Sequence, residues 1–187
     1  MKPTRIMSPP GTYFVTFLTW QRRRLFVVDN YAGLFLKTLY GYRRQGMFRL
    51  HAFVLMPEHV HLLLTPARDV TLERTLQLIK GGYSRAFGLE FGPKDVWQRG
   101  FTDHRIRDAE DYDRHRDYIH QNPVKRRLVE NAIEYRCSSA YPGFKLDGQT
   151  SAAKADCRVA AQLAPVNSCP SRSFARRVSH ALKGRTS

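Results

Sequence analysis

The stretch Met56-Pro57-Glu58-His59-Val60-His61-Leu62-Leu63-Leu64-Thr65-Pro66 joins two histidines to an apolar run that ends at a proline. Successive side chains of a β-strand point to opposite faces, so His59 and His61 share one face while Val60 points to the other. Two imidazoles at this spacing can hold one divalent cation, with Val60 and Leu62 packed behind them. Because the H-x-H pattern is short and common, the alternative is a half-buried strand with two polar residues on its wet face.

Strands and helices flank this stretch in an order that is typical of one fold class. The predicted strands cover 12–20, 48–56 and 59–65, with strand pieces at 96–98 and 101–107, and the first strand is expected to be buried on both faces for much of its length. The predicted helices are one over 29–45, one that Thr71 caps, and one over 109–122 that ends before Pro123. This β-α-β-β-α-β order predicts a ferredoxin-like α+β sandwich. We expect one antiparallel sheet with helices on one face, which leaves the other face for nucleic acid.

The charge of the chain favours a polyanionic partner. The 187 residues carry a net charge of +15 and a pI of about 10.2, which makes nucleic acid the first candidate and a solvated basic surface without a ligand the alternative. The three cysteines show no C-x-x-C pairing, which fits a reducing compartment. Since no signal peptide or apolar run of membrane-spanning length is evident, we expect a cytoplasmic protein without a membrane contact.

Composition divides the chain into three parts. Residues 1–10 form an N-terminal extension that ends at Pro9-Pro10, and residues 11–144 hold the predicted elements. From Lys145 to the C-terminus, small and basic residues dominate and aromatic residues nearly vanish. This composition predicts a mostly disordered basic tail over 145–187.

A second constellation lies on the predicted helix over 109–122. Two histidines under-ligate a metal, so a third protein ligand is expected, and an amide oxygen such as that of Asn122 suits Mg²⁺ or Mn²⁺. Tyr118 lies four residues earlier and therefore shares a helix face with Asn122. A tyrosine beside a metal-bound phosphate can attack phosphorus and keep the energy of the broken phosphodiester in a phosphotyrosine. Alternatively, Tyr118 is a packing residue and Asn122 is only a helix end.

Four ordered blocks of the sequence carry a family resemblance. They are YFVTFLTWQRRRLF (13–26), MPEHVHLLLTP (56–66), WQRGFTDHRIR (97–107) and YIHQNPVKRRLV (118–129). Over roughly residues 11–143 the chain resembles the REP-associated tyrosine transposases, which are IS200-like enzymes of the HUH class that act on single-stranded DNA. The resemblance implies a metal site at His59 and His61, completed at Asn122, and a nucleophile at Tyr118. Glu58 stands where this family usually has Asn, and Cys137 replaces a frequent Trp.

Basic clusters and single residues complete the sequence-based predictions. The predicted DNA-binding residues are Arg22, Arg23, Arg24, Arg43, Arg44, Lys125, Arg126 and Arg127. Tyr83 and Trp97 are candidates for stacking on bases, with core packing favoured for Trp97. His104 is a weaker candidate for a metal or DNA contact, while His115 and His120 are expected to be solvated.

Three functions remain open on the sequence alone. The first is a metal-dependent transposase or endonuclease that cleaves and rejoins single-stranded hairpin DNA through a 5′-phosphotyrosine. The second is a non-catalytic single-stranded nucleic-acid-binding protein on the same fold, and the third is a metal hydrolase that activates water. A monomer and a homodimer are equally compatible with this sequence.

Overall fold

The computed structural model describes residues 8–148, and the following description covers these residues. The strands are β1 (Tyr13–Leu18), β2 (Phe48–Met56), β3 (His59–Pro66) and β4 (Thr102–Arg105), and the helices are α1 (Asp29–Arg44), α2 (Leu72–Phe91) and α3 (Ala109–Lys125). Short 3-10 helices lie at Trp20–Arg22, Leu25–Val27 and Ala132–Glu134. None of the helices within 8–148 is long and apolar enough to cross a membrane.

The four strands form one sheet in the order β2-β3-β1-β4, and every neighbouring pair is antiparallel. This topology confirms the predicted ferredoxin-like α+β sandwich. The tight turn at Pro57-Glu58 joins β2 to β3 and sets their register, so that Met56 pairs with His59 and Val54 with His61. The two histidines therefore lie near the closed end of the hairpin, next to the central strand β1.

Helices α1 and α2 cover one face of the sheet. From β1, Tyr13, Val15 and Phe17 are buried beneath them, while the alternate residues of that strand are only partly buried. The prediction that β1 is buried on both faces was therefore wrong for the second face. The Thr71 side chain accepts a hydrogen bond from the Arg74 amide, which confirms the predicted helix cap.

Helix α3 lies on the opposite face, where only an open surface was expected. Its Tyr112 and Ile119 pack against Val54, Met56 and Leu63. These three sheet residues are fully or almost fully buried, and they form an apolar patch that would otherwise face water. The helical layer on the first face agrees with the prediction. Helix α3 covers part of the second face, and His59 and His61 lie beside the C-terminal end of this helix.

Pro123 lies inside α3, so the predicted end of this helix before the proline was wrong. A proline in the last turn removes one backbone hydrogen bond, and Pro123 is buried, which offsets the loss. The helix continues to Lys125, where the Arg126 amide donates to the Asn122 carbonyl. Just beyond this end, the Leu128 amide donates to the Pro123 carbonyl. As a result, Asn122 is held within regular helix rather than at a frayed end.

The segment after α3 covers the edge strand β2. The Leu55 amide donates to the Cys137 carbonyl and the Ser139 amide donates to the Phe53 carbonyl. Further along, Asp147 accepts a two-pronged ion pair from Arg43, with N–O distances of 2.7 and 2.8 Å. Residues 145–148 of the predicted tail thus lie against the domain, and the remainder of the tail prediction concerns residues outside the described part.

Candidate metal and nucleophile site

His59 and His61 point from the same face of β3, as their spacing predicts. Their Nε2 atoms lie 3.0 Å apart. Both residues are buried, at 7% and 4% exposure. Two imidazole nitrogens are therefore directed at one small site that is largely shielded from solvent.

A hydrogen bond to each Nδ1 orients the two rings. Glu58 Oε1 lies 3.2 Å from His59 Nδ1, and since an ionised carboxylate can only accept, this nitrogen carries the proton. Thr16 on β1 pairs in register with His61, and its hydroxyl lies 2.7 Å from His61 Nδ1. Such partners fix which nitrogen of a metal-binding histidine faces the metal.

Asn122 brings a third polar group to the same space. Its Nδ2 lies 3.3 Å from His61 Nε2. Its Oδ1 is buried and has no hydrogen-bond partner among the described residues. Because the two ends of an amide have nearly the same shape, a half-turn brings the oxygen to the position of Nδ2. Two imidazole nitrogens and one amide oxygen form a donor set that fits a divalent cation.

Burial keeps both histidines neutral, which is the form that binds metals. Desolvation lowers the pKa of His61 to about 3, with further lowering from the nearby His59 and Arg126. Desolvation also lowers the pKa of His59, to which the charges of Arg126 and Arg22 add, while Glu58 opposes the shift. The site is thus built from uncharged donors with positive charge at its edge.

Tyr118 lies beside this site and is 40% exposed. Its ring meets the His61 ring edge to face, with centroids 5.4 Å apart, and it also contacts Phe14 at 5.7 Å. The Lys125 ammonium lies 5.4 Å from the centre of the phenol ring. The structure therefore brings together the four residues predicted for metal binding and nucleophilic attack.

The eight predicted DNA-binding residues divide into two groups. The exposed ones are Arg22, Arg24, Arg44, Lys125, Arg126 and Arg127. By contrast, Arg23 donates to the backbone carbonyls of Trp20 and Asp95, and Arg43 is paired with Asp147. The guanidinium groups of Arg23 and Arg43 therefore already have partners within the protein.

The other aromatic and histidine candidates have structural contacts. Tyr83 is fully buried and donates to the Tyr31 carbonyl, so the prediction that it stacks on bases was wrong. Trp97 packs on Phe17 and donates to the Lys80 carbonyl, as expected of a core residue. His115 and His120 were expected to be solvated, but both are partly buried, and His120 lies beside Ser139.

The sequence reasoning named His104 as a weaker candidate for a metal contact but missed the cluster to which it belongs. His104 Nε2 on β4 lies 2.7 Å from Asp111 Oδ2, and His115 Nδ1 lies 3.2 Å from Asp111 Oδ1. The hydrogen bond from His104 holds the pKa of the Asp111 carboxyl below its usual value. Within residues 8–148 this is the one group of three His, Cys, Asp or Glu side chains that could hold a metal ion. The available signal was the four-residue spacing of Asp111 and His115, which were not considered together.

Comparison with known proteins gives the class to which this fold and site belong. The model of the family described as "Transposase IS200 like" matches residues 11–122. An Escherichia coli (strain K12) REP-associated tyrosine transposase is 33% identical over 130 residues, which cover 69% of this chain and 76% of that protein. A Haemophilus influenzae relative is 28% identical over 154 residues, 76% of this chain and 87% of its own.

A solved structure agrees with these sequence matches. It shows a REP-associated tyrosine transposase bound to a REP hairpin, with a TM-score of 0.62 and 28% identity over 84% of this chain and 99% of that one. The chain therefore belongs to the IS200-like transposase family and, within it, to the REP-associated tyrosine transposases. It is an enzyme that acts on DNA, which confirms the resemblance found in the sequence.

Proposed function

We propose that this protein is a metal-dependent transposase and endonuclease that cleaves and rejoins single-stranded DNA at hairpin sequences through a 5′-phosphotyrosine. The observation that carries this proposal is the convergence of His59, His61 and Asn122 with Tyr118 one helical turn away. The hairpin substrate is supported by the related transposase whose structure contains a REP hairpin. Single-stranded hairpin DNA is therefore the proposed substrate class, and the cytoplasm is the proposed compartment.

A divalent cation, Mg²⁺ or Mn²⁺, would be held at this site by His59, His61 and the amide oxygen of Asn122. When bound, such an ion polarises a phosphate oxygen and neutralises charge that develops during phosphoryl transfer. Glu58 and Thr16 keep the two imidazoles turned toward it. Burial excludes most of the water that would compete for the ligands.

Tyr118 is the nucleophile. Its phenolic oxygen attacks phosphorus and loses its proton to water, while the bond from phosphorus to the 3′ oxygen breaks and that oxygen takes up a proton. The products are a tyrosine linked to the 5′ phosphate and a free 3′ hydroxyl. Because one phosphoester replaces another, a 3′ hydroxyl can reverse the step and join a strand without a nucleotide cofactor.

Exposed cations around the site bind the DNA backbone. Arg22 and Arg126 influence the buried histidines through their charge, and Lys125 lies over the Tyr118 ring. Cations in these positions neutralise phosphates on the strand that approaches the tyrosine. Arg24, Arg44 and Arg127 are further exposed cations that can contact phosphates.

Covalent trapping tests the proposal. Wild-type protein, incubated with an end-labelled hairpin and Mn²⁺, should form an adduct that survives denaturing electrophoresis, and Tyr118→Phe should form none while it still binds the hairpin. Tyr112→Phe, a buried tyrosine of the same helix, is the matched control and should retain the adduct. An adduct in Tyr118→Phe excludes this nucleophile. Cleavage without an adduct supports activated water instead, and binding without cleavage in any metal supports a non-catalytic protein.

A further inference from the structure

We infer that His104, Asp111 and His115 form a second cation site, which takes a transition metal of the Zn²⁺ type and fastens the tyrosine-bearing helix α3 to the edge strand β4. This inference does not rest on the proposed function. It concerns a cluster separate from the pair His59 and His61.

The three side chains are already directed at one another. Each imidazole places a nitrogen close to the Asp111 carboxylate, at 2.7 Å for His104 and 3.2 Å for His115. The same His115 nitrogen also donates to the Asp111 backbone carbonyl at 2.7 Å, a bond that an ion bound here would replace. All three ligand atoms lie within 4.8 Å of one another. The two rings are stacked, with centroids 4.6 Å apart and 18° between their planes. His104 is a third exposed, so its ring has room to tilt toward an ion shared with His115.

The fold holds the carboxylate in place for this role. The Asp111 side chain is only 8% exposed. Its Oδ2 accepts a hydrogen bond of 3.1 Å from the backbone amide of Arg107, and Asp108 caps the helix beneath it. Metal-binding carboxylates are oriented by outer hydrogen bonds of this kind.

Sheet geometry separates the cluster from the first site. His104 lies on β4 and pairs directly with Phe14 of β1, while His61 lies on β3, on the other side of β1. Two strand spacings amount to about 10 Å, which is too far for one ion to bind both residues. The Phe14 ring contacts both His61 and His115, at 5.3 and 4.9 Å, and fills the space between them.

The ligand types decide which ion fits. Two imidazoles and one carboxylate form the set found in zinc and non-haem iron sites, whereas Mg²⁺ prefers oxygen ligands and keeps much of its water. Among divalent ions, Zn²⁺ also binds nitrogen ligands more tightly than Mn²⁺. Bound here, it joins a strand residue to two residues one helical turn apart, just before the turn that carries Tyr118.

Metal stoichiometry tests the inference. Full-length protein is stripped with a chelator and titrated with Co²⁺, a coloured substitute for Zn²⁺, and then with Zn²⁺ itself. Wild type should bind two equivalents, with no thiolate charge-transfer band from its cysteines. His104→Asn with His115→Asn should bind one equivalent, and His59→Asn with His61→Asn should also bind one. The control His120→Asn, a half-buried histidine on the same helix, should bind two.

A measurement of Tm with and without Zn²⁺ shows whether a variant that binds less metal is still folded. Zn²⁺ in excess should raise the Tm of His59→Asn with His61→Asn by about 3 °C or more, because an ion that binds only the folded state stabilises it. Adding His104→Asn to that variant should remove the rise. A wild type that binds no more metal than His104→Asn with His115→Asn, or no Zn²⁺ effect on the variant that keeps only the His104 cluster, overturns the inference.

Discussion

The Nε2 atoms of His59 and His61 face each other across 3.0 Å on one face of β3. Glu58 accepts from His59 Nδ1, so the Nε2 atom of that ring offers a lone pair and not a proton. A second lone pair from His61 at this distance would repel it. The contact is therefore stable only with a proton or a cation between the nitrogens. Because both rings are neutral, a divalent ion bound there would leave the His61 proton on Nδ1, beside the Thr16 hydroxyl.

Asn122→Ala should weaken Mn²⁺ binding by at least about 10-fold, because it removes the third donor from the site. Asn122→Asp should retain binding, since a carboxylate oxygen can replace the amide oxygen. Isothermal titration with Mn²⁺ measures both, with the exposed neighbour Gln121→Ala as the control. Equal affinity in Asn122→Ala and wild type would remove Asn122 from the ligand set.

Thr16→Val should reduce Mn²⁺ affinity and strand cleavage by about 10-fold, because the hydroxyl that orients His61 is lost while the side-chain shape is kept. The free energy of unfolding should fall by only about 1 kcal/mol. Cleavage assays and urea titration measure the two effects. Thr38→Val removes a hydroxyl that bonds the Leu34 carbonyl on α1, and it should lower stability similarly without changing metal affinity.

Asp147→Asn should lower the free energy of unfolding at pH 7 by about 1 kcal/mol, since the pair with Arg43 is partly exposed and screened by water. The Arg43 guanidinium holds the pKa of the Asp147 carboxyl below its usual value. The carboxylate therefore stabilises the fold above the unfolded pKa of about 4, and this contribution is lost as pH falls through the folded pKa. Urea titrations from pH 7 to 2 should show the variant and wild type converging.

The exposed ion pair of Asp113 and Arg116 provides the control for that measurement. Asp113→Asn should change the free energy of unfolding at pH 7 by less than about 0.5 kcal/mol. A loss as large as that of Asp147→Asn would show that any carboxylate of this basic chain has the same effect, and would refute a specific role for the contact with Arg43.

Arg126→Gln should weaken hairpin binding and reduce the slope of log affinity against log salt by about 0.7, the value for one phosphate contact on a single strand. Arg43→Gln should leave that slope unchanged, because its guanidinium is paired with Asp147. Hairpin binding measured between about 50 and 300 mM salt gives the slope for each variant. An equal loss of slope in both variants would mean that the internal ion pair opens for DNA.

Short-range periodicity made the centre of the candidate site predictable. The two-residue repeat of a strand places His59 and His61 on one face, and the helical repeat places Tyr118 above Asn122. The same local logic found the bounds of β2 and the Thr71 cap. It failed at Pro123, where burial and the last-turn position allow a proline that local rules would exclude from a helix.

Contacts between residues that are far apart in the chain could not be predicted, because they depend on the register of the strands and on how the helices pack. Thr16 and His61 are 45 residues apart, and only the pairing of β1 with β3 brings them together. Arg43 and Asp147 are 104 residues apart. The placement of α3 across the second face, and with it the meeting of His104 with Asp111 and His115, depends on the packing of an apolar patch rather than on any local pattern.

Tyr118 and Asn122 belong to consecutive turns of one continuous helix, α3, which rests on the sheet through Tyr112 and Ile119. A rigid helix shifts as a whole, since its internal hydrogen bonds resist stretching. A shift of α3 away from the sheet would move the Tyr118 oxygen and the Asn122 amide away from the histidines together, and the reverse shift would bring both back. Under the proposed function, a state with the ion bound and the tyrosine withdrawn would therefore be disfavoured.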